Sequence, residues 1–202
     1  MSIGGLLGLL KQDAEKGDLE RIMTDYQTAI SNFSRMDQLL EETLELSRIG
    51  RITNPPIDVP FNEIVKEALN QTSERLKSRG FEVSVAEEWP IVDRMRLTEV
   101  LVNLIENCVK YNGYQAHPKI EIGHRKDEGE TVFFIRDNGV GIDPSQYEKV
   151  FGLFYGLDLK VEGIGVGLAI VRRIIEAHNG RIWIESELGK GCTVCFTLPI
   201  TI

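Results

Sequence analysis

Apolar side chains recur at steps of three or four positions between residues 19 and 50, and charged residues fill the gaps. The stripe is formed by Ile22, Tyr26, Ile30, Phe33, Met36, Leu40 and Leu44. This period predicts an amphipathic helix of about three heptads, typical of a helical bundle or coiled coil. A shorter helix is predicted at residues 2–16, with a turn at Gly17 and Asp18. Because two such helices cannot bury both stripes, we expect pairing with a second copy.

The next part of the chain changes character. Residues 51–60 contain three prolines and predict a linker. A helix is predicted at 61–79, and the alternation of "FEVSVAE" predicts a strand at 81–87. Asp93 is a suitable N-terminal cap for a helix over residues 94–111.

Strands and helices alternate in the second half. "KIEIGHRKDEGETVFFIRD" predicts a hairpin at 119–137, and "RIWIESELGKGCTVCFTLPI" a second hairpin at 181–200. Between them, a short helix is predicted at 144–150 and a longer helix at 167–179. Hairpins outnumber crossovers, which favours an α+β fold, an α/β sandwich with helices on one face of a mixed sheet. The predicted domains are a helical segment at 1–50, a linker at 51–60 and an α+β domain at 61–202.

Composition limits the possible partners. The 202 residues carry a net charge of −8, which argues against general binding to nucleic acid or to an anionic membrane. No apolar run reaches membrane-spanning length, and the apolar start "MSIGGLLGLLKQ" lacks the basic region of a signal peptide. An anionic ligand would have to be held by backbone amides, a few Lys or Arg side chains, or a metal ion.

The three cysteines, Cys108, Cys192 and Cys195, lack the spacing of a disulfide framework, which indicates a reducing, cytosolic setting. "CTVC" at 192–195 has the spacing of a redox or metal motif. The alternation of "GCTVCFTLPI" favours a strand instead, and residues i and i+3 of a strand point to opposite faces.

A glycine-rich loop precedes the helix predicted at 167–179. "EGIGVGLAI" places Gly163, Gly165 and Gly167 at alternate positions, and the unpaired N–H groups of a helix N-terminus can hold a phosphate. The spacing differs from the GxGxxG of dinucleotide folds. It also differs from a Walker loop, because Leu168 stands where that loop needs Lys. The alternative is a flexible loop without a ligand.

Three polar residues share one face of the helix predicted at 94–111. Asn103, Asn107 and Lys110 of "LVNLIENCVKYN" lie at i, i+4 and i+7. The opposite, core-facing stripe consists of Leu97, Leu101, Leu104 and Cys108. Either the polar face is simply solvated, or an amide oxygen binds Mg²⁺ on a phosphate chain beside the charge of Lys110.

The segment "IRDNGVGID" ends a predicted strand with Asp137, followed by Gly139 and Gly141. Asp137 either caps a loop turn or accepts a hydrogen bond from an exocyclic amine at the floor of a pocket, where the glycines let a flat base lie against backbone. The aromatic residues of "FGLFYG" at 151–156 are either core anchors or part of a mobile lid. Five glycines between residues 152 and 167 favour the lid.

The order of these motifs resembles the ATP-binding catalytic domain of sensor histidine kinases, in the gyrase, Hsp90, histidine kinase and MutL superfamily. "LVNLIENCVKYN" is similar to the N box of that family, "DNGVGI" to its G1 box, "FGLFYG" to its F box and "EGIGVGLAI" to its G2 box. The resemblance covers residues 58–200, and residues 1–50 resemble most of the family's dimerisation hairpin. It implies a Bergerat-type ATP-binding domain preceded by a helical hairpin segment.

The resemblance also implies roles for single residues. Asn107 is similar to the Mg²⁺ ligand, Asp137 to the acceptor for the adenine amine, and Lys110 to a phosphate contact. Tyr111 resembles an adenine-pocket residue, and the three loop glycines resemble a hinge and phosphate cradle. ATP and Mg²⁺ are the expected cofactors. The implied nucleotide-binding set is Tyr111, Asp137, Gly139, Gly141, Phe154, Gly163, Gly165, Gly167 and Leu168, and the implied catalytic set is Asn103, Asn107 and Lys110.

The expected chemistry is transfer rather than hydrolysis. Family members resembling gyrase carry a water-activating Glu one turn before the Mg²⁺-binding Asn, where this chain has Asn103. Glu106 lies about 100° round the helix from Asn107, off the polar stripe. Phosphoryl transfer needs mainly positioning and charge neutralisation. The resemblance implies transfer of the γ-phosphoryl group of ATP to a histidine, a response regulator receiver domain as partner, and a homodimer formed through residues 1–50.

The acceptor histidine of the family lies in an H box, followed by an acidic residue and Pro-Leu. This chain has only His117, His124 and His178, none in that setting, and "MSIGGLLGLL" resembles the segment just after the Pro-Leu. We therefore expect the chain to begin beyond its acceptor and not to phosphorylate itself. A cytoplasmic location is expected. The alternatives are an ATP-gated dimerisation or regulatory module without kinase activity, and a serine-directed relative.

Overall fold

The computed structural model describes residues 5, 8, 14, 19–48, 57–94, 96–113, 115–155 and 165–199. The chain divides into two compact units, Met1–Glu45 and Leu46–Ile202.

Helix α1 spans Leu19–Arg48 and confirms the long helix predicted at 19–50. Its apolar stripe is largely open to solvent, because the stripe residues Tyr26, Ile30, Phe33, Met36, Leu40 and Leu44 are between 39% and 57% exposed. Gly5, Gly8 and Ala14 are also helical, and the rest of the helix predicted at 2–16 lies outside the described residues, as does its turn.

The second unit contains the predicted mixture of helices and strands. Its helices are α2 (Phe61–Ser78), α3 (Leu97–Lys110) and α4 (Gly167–Ala177). Its strands are β1 (Asp58–Pro60), β2 (Glu82–Val85), β3 (Ile91–Asp93), β4 (Lys119–Asp127), β5 (Glu130–Asp137), β6 (Ile182–Glu187) and β7 (Gly191–Thr197). Two 3₁₀ helices, Pro144–Gln146 and Lys149–Phe151, replace the single helix predicted at 144–150.

Five strands form one mixed sheet in the order β2-β4-β5-β7-β6. β2 runs parallel to β4, and the other neighbours are antiparallel. One row across the sheet is apolar, and the adjacent row on the opposite face is largely charged. The apolar row is Ile122, Ile135, Val194 and Ile184, and the other row is Glu121, Arg136, Thr193 and Glu185. A sheet of this pattern is covered on one face, which confirms the α+β sandwich predicted from the sequence.

The sequence-based expectation was wrong at the entry to this unit. Residues 58–60, expected in the linker, form β1 and pair antiparallel with β3, because Val59 has a buried side chain to pack there. Asp93 does not cap α3. It ends β3, and its Oδ1 accepts a hydrogen bond from the N–H of Ile57 (3.1 Å). Helix α3 instead begins after Arg96, whose φ of +57° redirects the backbone.

Candidate functional site

A cavity of about 510 Å³, its opening to solvent included, lies between α3, the first turn of α4 and the apolar face of the sheet. The cavity is lined by Leu104, Asn107, Cys108, Tyr111, Ile135, Asp137, Val140, Gly141, Ile142, Leu168, Ile184, Cys192 and Val194. Among them are five residues of the predicted site: Asn107, Tyr111, Asp137, Gly141 and Leu168.

Asp137 places a carboxylate in an otherwise largely apolar wall. It is the last residue of β5, and its Oδ1 accepts hydrogen bonds from the backbone N–H groups of Gly139 (2.7 Å) and Cys192 (3.3 Å). Burial raises the pKa of Asp137 above its ordinary value, and the two N–H groups oppose that rise. A carboxylate held in this way can accept a hydrogen bond from an amine on a flat ligand.

Three glycines allow close backbone contacts in the loop after Asp137 and at the start of β7. Gly141 has a φ of +72°, and a Cβ there would overlap the carbonyl oxygen of Glu187. Gly191 has a φ of +100°, and a Cβ there would overlap the carbonyl oxygen of Asp137. Gly139 is crowded as well, by the carbonyl oxygen of Tyr111 at the end of α3. The crowding at Gly139 therefore comes from the end of α3 and from the carboxylate of Asp137, whereas Gly141 also lines the cavity.

Replacing Gly191 by Ala should destabilise the domain more than the same change at Gly189. Both glycines have positive φ, which costs an Ala residue about 1–2 kcal/mol. Gly189 has open space at its Cβ position, whereas Gly191 meets the Asp137 backbone. Denaturant unfolding of both variants isolates the cost of that contact, and an equal loss of unfolding free energy would show that the two backbones are not in close contact.

The polar stripe of α3 is divided between the cavity and its surroundings. Asn107 is half-buried and lines the cavity, and its Nδ2 is buried with no hydrogen-bond partner among the described residues. Asn103 donates from Nδ2 to the carbonyl of Glu99 (3.0 Å). Its Oδ1 lies 2.7 Å from the position that a Cβ of Gly167 would occupy. Lys110 is exposed and does not line the cavity.

The start of α4 lies beside this stripe. Leu168 lines the cavity, and Gly167, against Asn103, is the first residue of the helix. A Cβ at Gly165 would lie 2.5 Å from the carbonyl oxygen of Tyr155, so this glycine permits a close backbone contact. The unpaired N–H groups at such a helix start suit an anion.

Six predicted site residues that the structure describes do not line the cavity: Asn103, Lys110, Gly139, Phe154, Gly165 and Gly167. Phe154 is 59% exposed, has a φ of +62° and does not line the cavity. Gly163 lies outside the described residues.

The carboxylates of α3 are engaged away from the cavity. Glu99 forms an ion pair with Arg96 (2.6 Å), and Glu106 forms one with Arg75 of α2. Neither side chain lines the cavity. Asp137 is the carboxylate that the described cavity wall presents to a ligand.

Sequence reasoning missed two thiols in the cavity wall. Cys108 was assigned to the core-facing stripe of α3, and it is indeed buried, but it also lines the cavity. Cys192 lies on β7 two residues before Val194, and strand alternation could have placed both in the same wall. Burial raises the pKa of Cys192 to about 12 and that of Cys108 well above its usual value, so both thiols are neutral. The strand predicted for "CTVC" is confirmed, and its cysteines are free.

The histidines lie outside the cavity wall. His178 follows the last turn of α4, is buried, and donates from Nδ1 to the carbonyl of Ile174 (2.8 Å). His124 donates from Nε2 to the carbonyl of Glu88 (2.5 Å). The described residues contain no cluster of three metal-ligating side chains. They also contain no helix that is both long and apolar enough to cross a membrane.

Comparison with known proteins gives a consistent result. The family model described as "Histidine kinase-, DNA gyrase B-, and HSP90-like ATPase" matches residues 92–202. The methanogenesis regulatory histidine kinase FilI of Methanothrix harundinacea is 55% identical over 201 residues, which is 98% of this chain and 23% of FilI. The chain thus spans about a quarter of the length of this curated relative.

Solved structures show the same fold. Full-length ShkA in complex with AMPPNP superposes with a TM-score of 0.70 at 24% identity, over 90% of this chain and 38% of ShkA. Histidine kinase ThkA in complex with the response regulator protein TrrA also gives a TM-score of 0.70 at 24% identity, over 98% of this chain and 57% of that chain.

Proposed function

The chain belongs to the histidine kinase-, DNA gyrase B-, and HSP90-like ATPase family, and we propose that it is the catalytic core of a sensor histidine kinase that passes the γ-phosphoryl group of ATP to a histidine. One observation carries the proposal. The cavity wall holds Asp137 in an apolar setting and, on α3, Asn107, whose amide nitrogen has no partner among the described residues. An adenine ring and a phosphate chain need these two environments.

The adenine ring would lie in the part of the cavity that contains Asp137. The carboxylate accepts a hydrogen bond from the exocyclic amine, while Ile135 and Ile184 contribute apolar surface. Tyr111 closes this part of the cavity from the end of α3. The triphosphate would extend towards Asn107 and the first turn of α4, whose N–H groups favour negative charge. Lys110 and Asn103 are proposed phosphate contacts beyond the cavity wall.

Mg²⁺ fits the side chains present. Asn107 lines the cavity, and an amide oxygen is a ligand type that this ion accepts. Its amide nitrogen is buried with no partner among the described residues, which leaves a donor without a hydrogen bond. Mg²⁺ typically takes one or two protein oxygens and completes its octahedron with phosphates and water. The ion would neutralise phosphate charge. Asn107 would provide the amide oxygen ligand, and its Nδ2 would donate to a phosphate oxygen.

The side chains favour transfer over hydrolysis. Glu99 and Glu106 are paired with arginines, and the position one turn before Asn107 is an amide, Asn103. An amide cannot take a proton from water as a carboxylate can. What remains is positioning of the γ-phosphate and neutralisation of its charge, which is sufficient for transfer to a histidine held in line.

The 202-residue chain alone should remain unlabelled by γ-labelled ATP and Mg²⁺. His178 lies beyond the end of the 11-residue helix α4, roughly 16 Å along the axis from the proposed phosphate site. The imidazole of His124 is bonded to the carbonyl of Glu88. The backbone carbonyl of His117 accepts a hydrogen bond from the side-chain amide of Asn138, which ties this segment to the end of β5. Gel autoradiography before and after acid treatment tests this, and acid-labile label on the isolated chain would contradict it.

We propose three parts for the chain: a partial dimerisation hairpin at 1–50, a linker from 51 to the start of β1, and the ATP-binding domain beyond it. Charge and composition support no nucleic-acid partner. A response regulator receiver domain is the proposed recipient of the phosphoryl group, by analogy with the ThkA–TrrA complex. ATP and a receiver domain are both cytoplasmic molecules, so the proposed location is the cytoplasm.

The chain should form a homodimer through residues 1–50. The exposed stripe of α1 repeats at steps of three or four residues, which is the spacing that a second copy would bury. Exchanging Phe33 and Leu40 for Ser should shift the sedimentation coefficient to that of a monomer. Exchanging the exposed Ile57 for Ser, away from the stripe, should leave it unchanged. A monomeric wild-type chain at high concentration would contradict the proposal.

A further inference from the structure

We propose that Ser186 and Tyr147 are positioning residues that set the preference of this site for an amine-bearing base, by fixing the orientation of Asp137. The inference rests on the proposed function, because it concerns the adenine end of the nucleotide site. Neither side chain lines the cavity, so both act through the backbone that surrounds Asp137.

The hydroxyl of Tyr147 bonds both backbone polar groups of Ser186. Its hydroxyl donates to the carbonyl of Ser186 and accepts from the N–H of the same residue (3.1 Å). Ser186 lies in β6, an edge strand of the sheet. Among the described residues no strand flanks β6 on its outer side, and the tyrosine hydroxyl bonds these backbone groups instead.

The side chain of Ser186 joins two further segments. Its Oγ accepts from the N–H of Ile142 (2.8 Å) and donates to the carbonyl of Gly191 (2.7 Å). Ile142 ends the loop that follows Asp137, and Gly191 is the first residue of β7. One hydroxyl therefore joins this loop to the start of β7, beside a backbone hydrogen bond from the N–H of Gly189 to the carbonyl of Val140 (2.8 Å).

Each of these two segments supplies one donor to Asp137. The N–H of Gly139, in the loop, and the N–H of Cys192, next to Gly191, both donate to its Oδ1. The direction of the carboxylate in the cavity thus depends on both segments. Without the Ser186 hydroxyl, the Ile142 N–H and the Gly191 carbonyl lose a partner, and the two donors can move apart.

The expected consequence is specific to the base. A carboxylate of fixed direction accepts the 6-amino group of adenine and repels the 6-oxo group of hypoxanthine. When the direction is lost, ADP loses its advantage over IDP. The phosphates are identical in the two ligands, so the contribution of α4 and Asn107 cancels in the ratio of their dissociation constants.

The test is titration calorimetry of ADP and IDP with the full chain and four variants. We expect wild type to prefer ADP by roughly 5- to 150-fold, and Ser186→Ala to reduce this ratio by at least about threefold. Tyr147→Phe should reduce it in the same direction. Ser186→Thr keeps the hydroxyl and should retain the ratio. Ser73→Ala is the matched control, because that hydroxyl donates to the carbonyl of Asn70 within its own helix, α2.

A wild-type preference that persists unchanged in both Ser186→Ala and Tyr147→Phe overturns the inference, even if both variants bind each nucleotide more weakly. That result would leave the proposed function intact. Wild type that binds neither nucleotide would overturn the proposed function itself. If Ser186→Ala does not fold, Tyr147→Phe, which deletes one oxygen atom at a half-buried position, decides the question.

Discussion

Replacing Asp137 by Asn is expected to weaken ADP binding by roughly 5- to 150-fold, equivalent to about 1–3 kcal/mol. The amide oxygen can still accept from the N–H groups of Gly139 and Cys192. Its NH₂ group then faces the adenine amine, so two donors oppose each other and the adenine amine loses its acceptor. Titration calorimetry measures the effect directly.

The free energy of unfolding distinguishes this loss of ADP affinity from misfolding of the variant. Burial raises the pKa of Asp137, so the ionised carboxylate disfavours the ligand-free fold at any pH above that raised value. The Asn variant removes this charge, and its free energy of unfolding should not fall at neutral pH. Asp143→Asn serves as the control, because Asp143 lies near this segment with its side chain bonded to Ser145 and outside the cavity wall.

The raised pKa of Asp137 makes ADP binding dependent on pH. Protonated Asp137 loses an acceptor, so wild-type affinity for ADP should fall as the pH drops through its raised pKa, above the range in which an exposed Asp titrates. The Asp137→Asn variant should lack this step. Equal ADP affinity of wild type and Asp137→Asn across this range would remove Asp137 from the adenine site.

Replacing Asn107 by Ala is expected to reduce the gain in ATP affinity that Mg²⁺ provides by at least about tenfold. Asn107 is the residue of the α3 stripe that lines the cavity, and Ala provides neither the amide oxygen for the ion nor the N–H groups for a phosphate. Affinity for ATP in the presence of a chelator should change much less.

Asn70→Ala on the exposed surface of α2 is the matched control, and it should retain the full Mg²⁺ dependence. An Asn107→Ala variant with an unaltered difference between Mg²⁺ and chelator would show that the ion is held elsewhere. Phosphoryl transfer by Asn107→Ala should fall along with the Mg²⁺-dependent affinity, because charge neutralisation supports both.

Long-period patterns were the most reliable guide to the fold. The stripe of α1, the opposed stripes of α3 and the two hairpins are repeated signals, and each element lies within three residues of its predicted bounds. Asp93 shows where a local rule fails. A capping residue is recognised by its own side chain, but here that carboxylate bonds the Ile57 N–H across a ribbon that only tertiary pairing creates.

The candidate site was predicted in part, for a related reason. Asn107 and Asp137 are polar residues in conspicuous positions, and the sequence singles them out. Cys108 and Cys192 are small residues in regular elements, and their place in the cavity wall depends on how α3 crosses the sheet. Gly191 illustrates the same limit: a glycine in a hairpin turn is common, and its contact with Asp137 joins residues far apart in sequence.

Phosphoryl transfer to a separately supplied histidine tests the central claim most directly. The chain is incubated with γ-labelled ATP, Mg²⁺ and a dimerisation hairpin that carries an H box, and label is followed on each protein before and after acid treatment. The account predicts acid-labile label on the hairpin, lost with Asn107→Ala and absent when the H-box histidine is replaced by Gln. ATP turnover without label on the hairpin, or label that survives acid, would contradict it.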